Sequence, residues 1–394
     1  VAAMDRQAAL RATLLIMAVF LLQPFAVGGW LALIPVVKAS LGLSKGELAA
    51  ALVGMPLALI PSLQVAGRVM SRFGPRRVLW TAFPVQAVAV MLPLLADSGP
   101  QLFAALFVLG AAAGFNEVAM NVYAGRLEKR GGLMIMNRCH GFWALGLMGG
   151  SGLVALSPGI APLAILGLLA VISGAGGVAA ARGMPRLGDD ETHPALPRRK
   201  RGDLPAALIY VALFMFFVTL TEGTMADWAA VYMAERLGDP SANAGIAVTV
   251  FSAFMAGGRF LGDWLKRRMG GVALARVTTG SAILGLLLLI LPLPLWIALP
   301  GFACVGFGIS AAYPLGVSAI AALDDRYEAS NIAIMATVAL GGFLVGPPLI
   351  GIVSELSSLV VGFATLLPGL ILALWLTRWL RPVDSGEVRE NESA

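Results

Sequence analysis

Charged residues are scarce in this chain, and that scarcity excludes an ordinary soluble fold. Only 13% of the 394 residues are Asp, Glu, Lys or Arg, whereas 58% are hydrophobic and the mean hydropathy is +0.85. An average soluble domain carries about 25% charged residues. A soluble fold of this length could not bury so much apolar surface, so lipid must be the solvent for most of the chain.

Cysteine and histidine are almost missing, which argues against several kinds of site. Cys139 and Cys304 are the two cysteines, and they lie far apart inside apolar runs, so no disulfide framework is expected. The histidines, His140 and His193, have no cluster of metal-binding residues beside them, and we expect no metal and no cofactor. The sequence also lacks a Walker motif and a nucleophile–base set, so neither ATP-driven transport nor catalysis is expected.

Basic residues outnumber acidic ones, with a formal net charge of +6. They stand in short turns between apolar runs, where they act as topology signals, and nucleic acid is therefore not an expected partner. Clusters follow the second, fourth, sixth and eighth apolar runs, whereas the alternate loops carry few basic residues. The positive-inside rule then predicts that both termini are cytoplasmic.

Apolar runs of about 18 to 25 residues recur along the chain, and a helix needs this length to cross the hydrocarbon. The predicted spans are 12–34, 46–69, 78–97, 101–124, 139–157, 160–181, 206–234, 243–264, 273–291, 295–321, 330–352 and 357–379. One long polar stretch divides them into two sets. The predicted organisation is an N-terminal six-helix bundle (1–181), a cytoplasmic linker (182–204), a C-terminal six-helix bundle (205–380) and a cytoplasmic tail (381–394).

Two segments, 67–77 and 258–268, are similar to each other. Each begins with Gly-Arg and ends in a basic pair, and the first resembles the signature loop of the major facilitator superfamily, G-x-x-x-D-R-x-G-R-R. Ser71 replaces the acidic residue that helps to latch helices in that family, and Asp263 supplies an acid in the second copy. The gating residues predicted from the two copies are Gly67, Arg68, Ser71, Arg72, Gly74, Arg76, Gly258, Arg259 and Asp263.

Four further segments, 114–121, 137–143, 222–228 and 341–348, resemble the bacterial MosC-like and YbjJ-like group of this superfamily. The Gly-x-x-Glu-x-x-x-Asn pattern at 114–121 is also similar to the L-fucose:proton symporter family. The resemblance implies an all-α membrane protein with the major facilitator fold, in which twelve transmembrane helices form two six-helix bundles with pseudo-two-fold symmetry. It also implies a multi-pass protein of the bacterial inner membrane that works as a monomer surrounded by lipid.

Ionisable groups inside a span are costly and call for a reason. Glu117 and Asn121 lie one turn apart in the fourth predicted span, so they share a helix face. The fucose-symporter resemblance implies that Glu117 carries a proton. The structural alternative is a carboxyl group that is hydrogen-bonded to a neighbouring helix.

Glu222, Asp227 and Trp228 lie in the seventh predicted span, and the resemblance implies that the first helix of each half lines the central cavity. The two acids are further candidates for proton coupling, and the Trp228 ring offers a flat face for a solute. The alternative is that Asp227 caps a broken helix while Trp228 anchors at the interface. Other candidates for solute binding are Gln23, Asn116, Asn121, His140, Thr221, Tyr313 and Asn331.

The resulting hypothesis is a secondary transporter that moves a small polar organic solute by alternating access. The coupling ion is expected to be the proton, and the resemblance favours a sugar, a polyol or a related compound as the solute. Two alternatives stay open. One is a drug or metabolite exporter with a broad apolar pocket, and the other is a membrane sensor that transports nothing.

Overall fold

The computed structural model describes residues 6–187, 204–323 and 327–381, and the regular elements in this part of the chain are all helical. They form twelve spans in two halves, as the sequence predicts. The first six are α1 (Arg6–Ser40), α2 (Lys45–Phe73), α3 (Pro75–Leu95), α4 (Gly99–Gly131), α5 (Met136–Ala155) and α6 (Pro162–Gly183). The second six are α7 (Ala206–Leu237), α8 (Ile246–Met269), α9 (Gly271–Ile290), α10 (Leu295–Ala321), α11 (Glu328–Leu356) and α12 (Leu359–Trp379).

Eleven of these spans are long and apolar enough to cross a bilayer on their composition alone, as judged over the described residues. The exception is α5, which has twenty residues but begins with Asn137, Arg138 and His140 and contains several glycines. These residues lower its hydropathy. The helix is nevertheless an integral part of the bundle, because it packs along both α1 and α8.

The span α10 is among those that are interrupted just before a proline. In α10 the helix ends at Ile309 and resumes at Ala312. Pro314 has no N–H to donate to the carbonyl of Ser310, so the regular hydrogen-bond ladder is broken at that point.

Glycines allow the main helix pairs to approach at backbone distance. On α5, a Cβ at Gly150 would overlap the carbonyl oxygen of Phe25 in α1, and one at Gly146 would overlap that of Leu21. The equivalent contact in the second half joins α7 and α11, where a Cβ at Gly342 would lie 2.6 Å from the amide nitrogen of Leu220. Small residues at such positions are what permits close helix packing in lipid.

The two halves share a turn that reveals their true register. Gly74 (φ 76°, ψ 153°) ends α2, and Gly270 (φ 81°, ψ 160°) ends α8. Each donates its N–H to the carbonyl four residues earlier, Met70 in one case and Lys266 in the other, at 2.8 and 2.9 Å. The positive φ is readily available to glycine alone. The structural counterpart of Gly74 is therefore Gly270.

This register corrects the sequence alignment of the two copies. Gly258 and Arg259 were matched to Gly67 and Arg68 as parts of a loop, whereas both pairs lie inside helices, α8 and α2 respectively. Of the predicted signature loop, Ser71 and Arg72 are also in the last turns of α2. The hydroxyl of Ser71 bonds to the carbonyl of Arg68 at 2.7 Å. The loop itself is reduced to the turn at Gly74.

Arg76, just after that turn, has a local structural role. Its Nε donates to the carbonyl of Ala181 at 3.1 Å, its Nη2 donates to the carbonyl of Arg182, and its guanidinium lies over the Trp80 ring at 5.0 Å. Basic side chains at a helix C-terminus satisfy carbonyls that have no partner within the helix. In the described part of the chain, Arg76 therefore caps the C-terminus of α6 by donating to two of its last carbonyls.

The sixth span ends slightly later than the sequence predicts, and this shifts the start of the linker beyond residue 182. The helix of α6 continues to Gly183, and the hydroxyl of Tyr123 donates to the carbonyl of Pro185 at 2.9 Å, which holds the next residues against α4. Residues 188–203 and 382–394, which include most of the predicted linker and tail, lie outside the described residues. The predicted domain boundaries in those stretches stay predictions.

The packing of α5 on α1 yields a stability prediction. We expect Gly150→Ala to destabilise the protein by about 1–3 kcal/mol, because an added methyl group at a close-packed contact forces the backbones apart. The matched control is Gly257→Ala in α8, where an added Cβ would have no atom within 4 Å. Unfolding midpoints in detergent and the fraction of monodisperse protein test this. Equal midpoints for the two variants would contradict it.

Candidate functional site

The acidic residue of α4 is held by its own helix. The side-chain amide of Asn121 donates to Glu117 Oε1 at 2.9 Å and to the carbonyl of Glu117 at 2.8 Å. The predicted i, i+4 pair is therefore present. No described cation contacts the Glu117 carboxyl group within salt-bridge distance.

A second acid is paired with an arginine of the adjacent helix. Arg259 Nη2 in α8 lies 3.3 Å from Glu222 Oε1 in α7, and the two side chains are only 11% and 15% exposed. Placing both charges in the interior of the membrane is costly unless they compensate each other. This pair joins two helices of the same half.

Arg259 also contacts α5 of the N-terminal half. Its Nη1 donates to the carbonyl of His140 at 3.2 Å, and its guanidinium lies over the Trp143 ring with 5.7 Å between Cζ and the ring centroid. A guanidinium can bind a carboxylate in its plane and an aromatic ring at its face at the same time. The residue predicted to be a loop marker is thus a bridge between the two halves.

Trp143 connects this bridge to a buried network in the N-terminal half. Its indole N–H donates to Gln23 Oε1 at 3.0 Å. Gln86 Oε1 accepts from Asn116 at 2.7 Å and from Gln23 at 3.3 Å, and the Gln86 amide donates to the carbonyl of Gln23 at 2.8 Å. Four helices, α1, α3, α4 and α5, are cross-linked in this way. Hydrogen bonds of this kind orient the Trp143 ring toward Arg259.

His140 and Tyr313 complete the meeting of the halves. Their rings are 6.0 Å apart, and Phe20 packs edge-on against His140 at 5.3 Å. Tyr313 interacts electrostatically with Glu117, and Glu117 interacts with Arg259 and Glu222. We call these residues the central cluster: Glu117, His140, Trp143, Glu222, Arg259 and Tyr313.

Gln23, Asn116 and Asn121 support the central cluster through the hydrogen bonds described above, whereas four other predicted site residues lie outside it. Thr221 is buried and bonds to the carbonyl of Phe217 at 3.0 Å, and Trp228 is completely buried, so a solute cannot reach its ring in this conformation. Asn331 is also completely buried, and its side-chain amide has no hydrogen-bond partner among the described residues. Asp227 makes no hydrogen bond or ion pair with any described residue. Their predicted roles stay predictions.

The bundles are closed at one end of the molecule. This distal end, where α1 ends and α2 begins, lies opposite the end at which α1 starts. Lys45 of α2 pairs with Glu235 of α7 at 3.3 Å, and Glu355 of α11 accepts the N–H of Gly46 at 3.0 Å. Between α5 and α8, the hydroxyls of Ser151 and Thr249 are 3.0 Å apart. Three pairs of helices from opposite halves therefore touch there.

Toward the other end, which we call the terminal end, the halves diverge. The helices α4 and α10 are not packed together in the described residues, and α2 meets α11 mainly through its first part, Lys45–Leu52. A Cβ at Gly67, near the terminal end of α2, would have no atom within 4 Å. Asn137 still bonds to Asp263 at 2.5 Å, which keeps α5 and α8 together. The central cluster therefore lies on the terminal side of the contacts that close the distal end.

Sequence reasoning missed several residues that build this site. Gln86 and Trp143 were not singled out, although a Gln in the middle of an apolar run was a usable signal. Arg259 fell inside the predicted span 243–264, and a charged residue at that depth should have outweighed its similarity to a loop motif. Lys45 and Glu355 could not be paired without the fold. The described residues contain no group of three His, Cys, Asp or Glu suited to a metal.

The Arg259–Glu222 pair gives a prediction about stability. Removing one partner leaves the other charge uncompensated, so Arg259→Gln and Glu222→Gln should each lower the free energy of unfolding. The sum of the two losses should exceed the loss in the double variant, where no unpaired charge remains. The coupling free energy should be about 0.5–3 kcal/mol. Unfolding in mixed detergent micelles measures it. The same cycle on the more exposed pair Lys45–Glu235 should give about 0–1 kcal/mol, and equal couplings would refute the distinction.

The closed distal end gives a prediction about cross-linking. In a background of Cys139→Ala and Cys304→Ala, we expect Ser151→Cys with Thr249→Cys to form a disulfide, because the parent hydroxyls are 3.0 Å apart. With a protease site inserted in the linker, the cleaved halves should migrate together on a non-reducing gel and separate after reduction. Each single cysteine serves as a control. Halves that separate without reductant would show that this end is not closed.

Comparisons with known proteins agree with this architecture. The family model of the Major Facilitator Superfamily matches residues 15–329. An uncharacterised MFS-type transporter of Yersinia pestis is 29% identical over 87% of this chain and 89% of its own length. The uncharacterised transporter y4wD of Sinorhizobium fredii is 28% identical over 86% and 90%, and the membrane protein MosC of Rhizobium meliloti is 27% identical over 85% and 82%.

A solved structure extends the likeness to the fold. The nucleoside transporter NupG superposes with a TM-score of 0.70 over 95% of this chain and 99% of its own, at 15% sequence identity. A point mutant of NupG gives a TM-score of 0.73 at 14% identity. The predicted resemblance to the MosC-like group is confirmed by the match to MosC itself. The family match, the multi-pass helical fold and these relatives establish that this chain belongs to the Major Facilitator Superfamily of transporters.

Proposed function

We propose that this chain is a proton-coupled secondary transporter of a small polar organic solute, with Glu117 as the proton carrier. The observation that carries the proposal is the difference between the two acids of the central cluster. Glu222 is compensated by Arg259 at 3.3 Å, whereas Glu117 has an amide partner and no cation within salt-bridge distance among the described residues. One proton on Glu117 leaves the cluster without net charge.

Charge balance links that proton to movement. A central cluster with a net charge is strongly solvated in an open cavity and is disfavoured when the cavity closes around it. Protonation of Glu117 removes this cost, so the loaded protein can change conformation. Coupling further requires that movement with only the proton or only the solute bound be slower than movement with both or with neither.

The solute proposed is a sugar, a polyol or a related compound. The cluster contains an indole, a phenol, a guanidinium and a carboxyl group, which are groups that can stack on a ring and exchange hydrogen bonds with hydroxyl groups. Such a set of polar groups suits a hydroxylated solute better than an apolar drug. The likeness to NupG, at 15% identity, supports the fold and leaves the solute open.

The setting proposed is the bacterial inner membrane, with both termini cytoplasmic and the protein acting as a monomer. With that topology the distal end is periplasmic, and a closed distal end corresponds to the inward-facing state. Rocking of the two bundles around the central cluster would then open the periplasmic side.

Removal of the proton carrier should uncouple transport. A screen of sugars, polyols and amino sugars by thermal shift first identifies a solute, which is then followed in liposomes. An inside-alkaline gradient of one pH unit supplies about 1.4 kcal/mol, enough for about tenfold accumulation with one proton. We expect Glu117→Gln to bind the solute and exchange it but to lose accumulation, because the amide cannot carry a proton.

The matched control is Asp97→Asn, which removes an exposed carboxyl group just before α4 and should accumulate solute like the parent protein. The proposal fails if Glu117→Gln still concentrates the solute to the same extent under the same gradient. A protein that protects cells against toxic lipophilic cations, and binds no polar solute in the screen, would favour the exporter instead.

A further inference from the structure

Outside the central cluster, a group of polar atoms without partners lies where α7 packs against α11. Thr224 Oγ1 and Trp228 Nε1 are both buried, and neither has a hydrogen-bond partner among the described residues. Thr224 and Trp228 are four residues apart on α7, and Asp227 lies between them. Other buried threonines of this helix, Thr219 and Thr221, do bond to carbonyls, so Thr224 differs from its neighbours.

The register of the two helices places Asp227 at this contact. α7 and α11 run in the same direction: Thr219 Oγ1 donates to the carbonyl of Ala339 at 2.6 Å, and one turn later a Cβ at Gly223 would lie 3.4 Å from the Cα of Phe343. One further turn on each helix brings Asp227 level with Pro347. Residues four apart share a helix face, so Asp227 lies on the face that packs against α11.

The sequence of α11 leaves carbonyl oxygens free at the same level. Pro347 and Pro348 lie within the helix and have no N–H. The carbonyls of Phe343 and Leu344 therefore lack the N–H donor four residues later that a regular helix would supply. The Thr224 hydroxyl lies at the same helix contact, since a Cβ at Gly346 would lie 3.3 Å from Thr224 Oγ1, and it forms no hydrogen bond with either carbonyl.

A cation would compensate the charge of the Asp227 carboxylate between α7 and α11. Asp227 lies inside a membrane span, and no described cation lies within salt-bridge distance of its carboxyl group. A carboxylate in that position is costly unless a positive charge compensates it. A single carboxylate with neutral oxygens matches a monovalent ion, and hard cations prefer oxygen ligands.

We infer that Asp227, Thr224 and the free carbonyl of Phe343 form a sodium-binding site between α7 and α11. The carboxylate supplies the compensating charge, the hydroxyl and the carbonyl supply neutral ligands, and the broken ladder at Pro347 exposes the carbonyl. Backbone carbonyls at interrupted helices serve sodium in the same way in other transporter folds. The site is separate from the central cluster and does not depend on proton carriage by Glu117.

Ion-dependent stability tests the inference without any transported solute. Purified protein is unfolded by heat at fixed pH and ionic strength while NaCl replaces choline chloride. A ligand that binds the folded state raises its stability in proportion to the logarithm of ligand concentration above the dissociation constant. We expect this rise in the parent protein with sodium, a smaller one with potassium, and none in Asp227→Asn.

Three further variants make the test specific. Thr224→Val should shift the sodium response to higher concentration, because one oxygen ligand is lost with little change of shape. Asp239→Asn removes a carboxyl group beyond the end of α7 that accepts only the nearby N–H of Ser241, at 3.0 Å, and should respond like the parent. Glu117→Gln should also keep the response, which separates this site from the proposed proton carrier.

Direct binding provides the second measurement. Equilibrium binding of radioactive sodium should approach one ion per chain in the parent protein and be lost in Asp227→Asn. Equal unfolding midpoints in sodium and choline for the parent protein would overturn the inference. An unchanged sodium response in Asp227→Asn would do so as well.

Discussion

The absence of water from the hydrocarbon governs this structure. Every polar group that the chain carries into the membrane must find its partner inside the protein. Most do so here: Glu222 faces Arg259, Asn121 holds Glu117, and Gln86 ties Gln23 to Asn116. These partners lie on different helices or turns, so the need for satisfaction also decides how the helices are oriented about their axes.

Two kinds of helix contact follow from that constraint. Within each half, glycines bring α5 onto α1 and α11 onto α7 at backbone distance, where the contact tolerates no added atom. Between the halves, α5 and α8 meet through hydroxyl, amide and guanidinium groups such as Ser151, Asn137 and Arg259. The first kind is stiff and the second can be exchanged for water. The proposed rocking of the two bundles would break contacts of the second kind between α5 and α8 and keep those of the first kind within each half.

Arg259 shows how the two kinds of contact meet at the centre. It neutralises an acid of its own half and touches the carbonyl of His140 and the ring of Trp143 in the other. Trp143 in turn is oriented by the buried amides of the first half. A change of charge at Arg259 or Glu222 therefore alters contacts in both bundles. Asp227 and Thr224 lie apart from it, at a contact inside the second half.

The class of protein, the number of spans and the acidic residues of interest follow from the amino-acid sequence alone. These features are local: the length of an apolar run decides whether a helix crosses the membrane, and a carboxyl group inside such a run is conspicuous without any knowledge of its neighbours. Glu117 and Asn121 were also predictable as a pair, because they are one turn apart on the same helix.

The remaining features of the site appear in the fold alone, because they depend on residues that are far apart in the chain. Gln86 and Trp143 become important through partners on other helices, and Arg259 was misplaced because its similarity to a loop motif is local while its pairing with Glu222 is not. The register of the halves was set by the backbone at Gly74 and Gly270, which sequence letters do not show. Which end is closed depends on how the bundles tilt, and a sequence compatible with two tilts cannot specify either one.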